Sequence, residues 1–168
     1  VAILLGVFLG IVATLFKDHW LDRILLLFST MGMSVPSFFS AILFSWFFGY
    51  VLHSITGLNM TGNLYELDDF GESYRVVWKN LLLPSFVLGI RPLAVIIQLM
   101  RSNLLEVLSQ DYIRTAYSKG LSQYQVIFRH ALKNALNPVV TAISGWFASL
   151  LAGAIFVEYI FGWNGLGK

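Results

Sequence analysis

Four long apolar stretches separated by polar segments organise this sequence: Val1 to Phe16, Ile24 to Leu52, Leu81 to Met100 and Pro138 to Ile160. An α-helix rises 1.5 Å per residue, so about 20 apolar residues cross a hydrocarbon core roughly 30 Å thick. The pattern predicts a helix crossing the bilayer in each stretch. Val1 to Phe16 falls short of that length, so the chain is expected to begin inside a membrane helix. Gly162 to Lys168 (GWNGLGK) reads as a loop, after which more sequence is expected. The second stretch is longer than a bilayer needs and Pro36 interrupts it, which predicts a kink, or a lateral interfacial segment before the proline.

Composition narrows the class. The 168 residues are 57% hydrophobic and 12% charged, against about 25% charged in soluble domains. So few charges cannot tile a water-soluble surface, which excludes a small soluble enzyme, a disordered chain and a nucleic-acid coat. An all-α membrane protein in contact with the lipid bilayer is expected. The net charge of +2 argues for no polyanionic partner, and no nucleic acid is expected. With no Cys there is no disulfide framework or thiolate chemistry.

The placement of charge sets sidedness, because Lys and Arg are retained on the cytoplasmic face. The segments Lys17 to Arg23 and Arg101 to Asn137 hold seven of the eleven basic residues, and alternating spans put both on one side. That side is read as the cytoplasm. The segment His53 to Asn80, with Arg75 and Lys79 beside Glu66, Asp68, Asp69 and Glu72, falls on the other. Arg91 lies inside the third span, where it costs about 2.5 to 3.5 kcal/mol on an insertion scale. Twelve Leu, Ile, Val or Phe residues in that span outweigh it. Arg91 is therefore expected to face protein or water, as an internal ion pair, a carbonyl clamp or a lining of the translocation path. Small residues recur every fourth position at Ser144, Ala148 and Ala152, at Gly145, Ser149 and Gly153, and at Gly6 and Gly10, which predicts closely packed helices.

The longest cytoplasmic segment carries most of the local signals: DYIRTAYSKGLSQYQVIFRHALKNALNP, Asp111 to Pro138. Asp111 is expected to cap a first helix that Gly120 ends, and Ser122 with Gln125 to form a capping box for a second helix reaching Asn137. Tyr124, Ile127, Ala131 and Ala135 share one face of that second helix by spacing. A DNA-reading helix-turn-helix is excluded by the spans on either side and the lack of a third helix.

Tyr112 to Leu121 (YIRTAYSKGL) and His130 to Thr141 (HALKNALNPVVT) resemble the cytoplasmic EAA loop of binding-protein-dependent ABC importer permeases, in their dipeptide, oligopeptide and nickel branch. WLDR (Trp20 to Arg23), SVPSFF (Ser34 to Phe39), LLLPSFVLG (Leu81 to Gly89) and FVEYIFGWNGLG (Phe156 to Gly167) extend the resemblance over nearly the whole chain. It implies a type I ABC importer permease fold, of which the chain covers about four of six transmembrane helices, in a multi-pass subunit of the bacterial inner membrane. The implied partners are a second permease subunit, two ATP-binding subunits that hold ATP and Mg, and an extracytoplasmic solute-binding protein. The chain itself is then no enzyme and carries no cofactor, and its cargo is a peptide, a nickel chelate or a similar small solute. The EAA core falls on Arg114, Thr115, Ala116 and Gly120, without the leading Glu, so no carboxylate role carries over. The implied coupling residues are Asp111, Tyr112, Arg114, Thr115, Ala116, Lys119, Gly120 and Leu121. Ala116 and Gly120, four apart, are expected to offer a smooth face to the ATP-binding subunit, with Arg114 and Lys119 at its rim.

Two other classes are weighed: a membrane scaffold or sensor whose helix pair binds a different partner, and an ATP-independent carrier, for which no inverted repeat is found. The remaining motifs carry less. Gly162, Gly167 and Lys168 fit G-x-x-x-x-G-K, but a phosphate loop needs a strand before it and an α/β domain around it. His19, His53 and His130 are scattered without ligand spacing, so no metal site is expected. Asn59, Met60 and Thr61 form a glycosylation sequon that a bacterium ignores. No paired carboxylates or nucleophile and base fall within the spans, so no catalytic residue is assigned.

Overall fold

The computed structural model describes residues 1–67 and 73–165. Asp68, Asp69 and Glu72 of the acidic loop, Gly167 and Lys168 of the G-x-x-x-x-G-K pattern, and the side chain of Ala148 lie outside the described residues. Among the described residues eight α-helices and one hairpin follow in order: α1 (Ala2–Leu15), α2 (Trp20–Ser34), α3 (Ser37–Phe44), α4 (His53–Thr56), β1 (Tyr65–Leu67), β2 (Tyr74–Val76), α5 (Lys79–Leu108), α6 (Asp111–Ser118), α7 (Gln123–Gln125) and α8 (Leu132–Phe161). Wider π-helical turns, Ser45–Val51 and Val126–Ala131, continue α3 and join α7 to α8. Among the described residues α5 alone is a single helix long and apolar enough to cross a membrane. Two broken pairs, Trp20–Ser34 with Ser37–Val51 and Gln123–Trp146 with Ser149–Phe161, pass the same test when each counts as one span.

Breaks fall where local chemistry demands them. The residue before a proline is pushed out of the helical region, and α2 accordingly stops at Ser34 while Pro36, with extended backbone, starts α3. Pro138 does not act that way. The helix expected to end at Asn137 runs through it into α8. Ala135 and Val139, on either side of the proline, are both fully buried, and their packing outweighs a proline cost of about 3 kcal/mol.

The chain divides into two compact units, Val1–Met33 with Pro92–Trp146, and Ser34–Arg91 with Phe147–Lys168. In the first, α1 lies so close to α5 that a Cβ on Gly6 would sit 2.7 Å from Ile96 and one on Gly10 2.6 Å from Met100. Its core runs from Ile11 through Ile96, Met100 and Leu104 to Ile113 and Ala116 of α6 and Ala131, Ala135 and Val139 beyond. Among the described residues helix α2 sends no side chain into that core. Its two buried residues, Asp22 and Ser29, are polar, and Asp22 accepts two hydrogen bonds from Arg101 of α5, at 2.6 and 2.7 Å.

The second unit packs Ala41, Leu83, Val87, Val157 and Phe161 together with the half-buried rings of Phe44 and Phe48, and Phe44 also meets the exposed ring of Phe86 edge-on. The polar segment His53 to Asn80 contains the antiparallel hairpin β1–β2, with Glu66 opposite Arg75. Asn80, buried at the start of α5, ties the hairpin down: its amide nitrogen donates to the Asn63 carbonyl at 2.9 Å and to Glu66 at 2.7 Å, and its oxygen accepts from Asn59. The sequon asparagine is thus part of an internal hydrogen-bond network. Gly49 lets the backbone of Met60 approach to where a Cβ would stand 2.6 Å from it, and Ser45 donates to the Met60 carbonyl.

Candidate coupling surface

Helix α5 continues eight residues beyond Met100, so Arg101 to Leu108 form a rigid arm rather than loop. The arm ends in a short turn that sets α6 back against it. Gln110, in extended backbone, occupies the cap position and its carbonyl accepts from Ile113 and Arg114. Asp111 therefore does not cap α6, as the sequence reading expected. It is the first helical residue, one position too late for its side chain to reach the free N–H groups, and it favours the helix start through its charge alone. Its contact with Arg114, at 3.7 Å, is fully open to solvent and adds little.

The other end of α6 follows the expected chemistry. Gly120 takes φ +80, its N–H bonds the Tyr117 carbonyl at 2.9 Å, and the Leu121 N–H bonds that of Ala116 at 3.4 Å. Those two bonds are the Schellman arrangement, which satisfies carbonyls at the end of a helix. Leu121 then packs on the core. Directly after it, Ser122 forms the reciprocal capping box with Gln125. Asn134 of α8 donates to the Tyr112 hydroxyl at 2.8 Å, tying the helices on either side of the turn together.

Burial corrects which face is offered outward. Ile113 and Ala116, three apart, point into the core, and Ala116 is only 6% exposed. Of the expected Ala116 and Gly120 face, Ala116 therefore packs into the chain's own core while Gly120 stays exposed. What remains open is Tyr112, Arg114, Thr115, Tyr117, Ser118 and Lys119, with the glycine turn beyond them. The π-turn Val126–Ala131 changes the next face as well. Its extra residue per turn buries Val126 with Ile127, Ala131 and Ala135, and leaves Tyr124 70% exposed, its ring 4.4 Å from that of Phe128. Tyr117 and Phe128 are surface aromatics that spacing alone did not single out.

Elsewhere, Arg91 is an exposed residue of α5 that has a partner within the chain. It belongs to the other compact unit, apart from α6. No group of three His, Asp or Glu side chains among the described residues suits a metal ion. Gly162 follows α8 rather than a strand, so the glycine and lysine pattern lacks the setting a phosphate loop needs.

Comparison with known proteins places the chain among transporters. Residues 2–168 match the family of binding-protein-dependent transport system inner membrane components. The dipeptide transport system permease DppB of Alkalihalophilus pseudofirmus is 38% identical over 181 residues, covering 99% of this chain and 54% of the relative. The Bacillus subtilis dipeptide permease DppB is 36% identical over 168 residues, covering 100% and 50%. The Pseudomonas aeruginosa di/tripeptide permease DppB is 38% identical over 178 residues, covering 97% and 52%. The chain thus spans about half the length of these relatives.

Proposed function

The chain belongs to the family of binding-protein-dependent transport system inner membrane components, and from that premise we propose that it is a permease subunit of an ATP-driven importer of short peptides. The observation that carries this reading is the build of α6. One face is fixed in the core through Ile113 and Ala116, and the other presents Tyr112, Arg114, Tyr117, Ser118 and Lys119. A helix held firmly from behind and open in front suits docking into the groove of another protein that pushes on it. In this reading the partner is an ATP-binding subunit that hydrolyses ATP with its own Mg. A second permease subunit and an extracytoplasmic solute-binding protein complete the assembly, and this chain performs no bond chemistry.

Transport then works by alternating access. Closure of the ATP-binding subunits displaces α6, and the helices that share its core move with it. The path from α7 through the π-turn into the start of α8 is continuous, so that stretch moves with the coupling surface. Arg91, an exposed residue of α5 with a partner within the chain, is assigned to the translocation path. Names of the relatives point to dipeptides as cargo.

Uptake of radiolabelled dialanine by proteoliposomes containing the full-length chain and its partner subunits tests this reading. Accumulation that requires both ATP and the binding protein is expected, and unlabelled dipeptide should suppress it. Uptake that persists without ATP would indicate a carrier instead, and none at all would support a scaffold.

A further inference from the structure

The attachment of α2 to the rest of its unit is unusual. The helix contributes nothing to the apolar core among the described residues, yet Asp22 near its start is only 2% exposed. Both carboxylate oxygens of Asp22 are engaged by Arg101, and one also accepts the Asp18 N–H at 3.1 Å. Asp18 holds a left-handed backbone, φ +66, to aim that N–H, a conformation Asp tolerates better than most residues. The carboxylate is thus clamped from its own turn and from α5.

A cleft of about 460 Å³ between α2 and α5 starts at Arg101 and runs on past Leu26, Thr30 and Met33 of α2 and Val95 and Gln98 of α5. A long, exposed hydrogen bond of 3.3 Å, from Gln98 to Thr30, spans it. Arg101, for its part, sits directly after Met100 and three residues before Leu104. Both are fully buried in the core that also takes Ile113 and Ala116 of α6.

We propose that the Asp22–Arg101 pair is the pivot pin of α2: it fastens the start of that helix to the arm of α5 that moves with α6, while the cleft leaves the rest of α2 room to swing. Asp22 and Arg101 are then positioning residues for the coupling reaction, an inference that rests on the importer reading above. The choice of groups fits the task. A forked guanidinium on a carboxylate has one favoured geometry, so it transmits displacement without slipping. An apolar contact of the same size holds two helices together but lets them slide.

That difference supplies the test. The full-length chain is assembled with its partners in proteoliposomes, and dialanine taken up per ATP hydrolysed is measured for the unaltered chain, for Asp22→Leu with Arg101→Met, and for Asp22→Arg with Arg101→Asp. Yields are normalised to assembled complex. The apolar pair is expected to assemble and hydrolyse ATP, yet to lose about tenfold or more in solute per ATP, within the usual range of coupling between sites. The reversed pair is expected to recover most of the loss. Should the reversed pair not fold, Asp22→Cys with Arg101→Cys, joined by a short bifunctional thiol reagent in this cysteine-free chain, is expected to recover it instead. An apolar pair as efficient as the unaltered chain overturns the pin and leaves the permease standing, as does failure of both reversed and crosslinked pairs to recover coupling. An unaltered complex that takes up no dipeptide overturns the permease reading and the pin with it.

Discussion

Replacing Arg101 with methionine is expected to cost the folded chain about 3 to 5 kcal/mol, the usual penalty for stranding one partner of a buried ion pair. Asp22 keeps only the Asp18 N–H in that variant, because two of its three hydrogen bonds come from the guanidinium. The side chain of Asp22 is 3% exposed against 18% for Arg101, so the carboxylate is the group that cannot turn to water. Adding Asp22→Leu should return most of the loss, since well-packed apolar replacements of buried pairs are often neutral or better. Unfolding of the purified protein in mixed detergent micelles, followed by tryptophan fluorescence, reads both variants. A loss below about 1 kcal/mol in the single variant, the level of a surface pair, would mean that Asp22 is hydrated.

Leucine at Gly6 and Gly10 together is expected to force α1 off α5. A Cβ at Gly10 would stand 2.6 Å from the Met100 Cβ and 3.0 Å from the Ile97 carbonyl oxygen, and one at Gly6 would stand 2.7 Å from a methyl of Ile96. None of these neighbours is the free end of a flexible chain, so the helix itself must retreat. Each overpacked site costs about 1 to 3 kcal/mol. The pair should cost less than the sum because a single displacement relieves both. Gly145 provides the control: it belongs to the small-residue pattern of α8, but a Cβ there meets nothing within 4 Å. Gly145→Leu should stay within about 0.5 kcal/mol of the unaltered chain. Equal stability of the Gly10 and Gly145 variants in the same detergent assay would contradict the packing of α1 on α5.

The outcomes sort by the range of the interaction involved. Gly120 and the Ser122 and Gln125 box act within a few residues, so their roles are legible from spacing. Gly6 and Gly10 are also legible, because a four-residue repeat of glycine has few uses other than close packing. Asp22 and Arg101 are 79 positions apart, and nothing in either neighbourhood announces the pair; Arg101 reads instead as one more cytoplasmic charge. The face of the second coupling-loop helix is misread at Tyr124 because a π-turn shifts the period that the expectation assumed to be uniform. Ala116 is assigned outward for a related reason. A small residue suits close approach, and only the packed chain reveals that the approaching partner is its own core. Pro138 inside α8 and the hairpin at Tyr65–Leu67 depend likewise on tertiary contacts that outweigh local preference.

The proposed meeting of α6 with an ATP-binding subunit is open to one direct crosslinking measurement. The chain contains no cysteine, and Ser118 stands on the exposed face of α6. A full-length chain carrying Ser118→Cys, treated with a bifunctional thiol reagent in native membranes, should yield an adduct whose second component is an ATP-binding protein. Labelling of Ser118→Cys from the cytoplasmic side, with only lipid or a protein that binds no nucleotide in the adduct, would contradict the coupling role of α6 and favour a membrane scaffold.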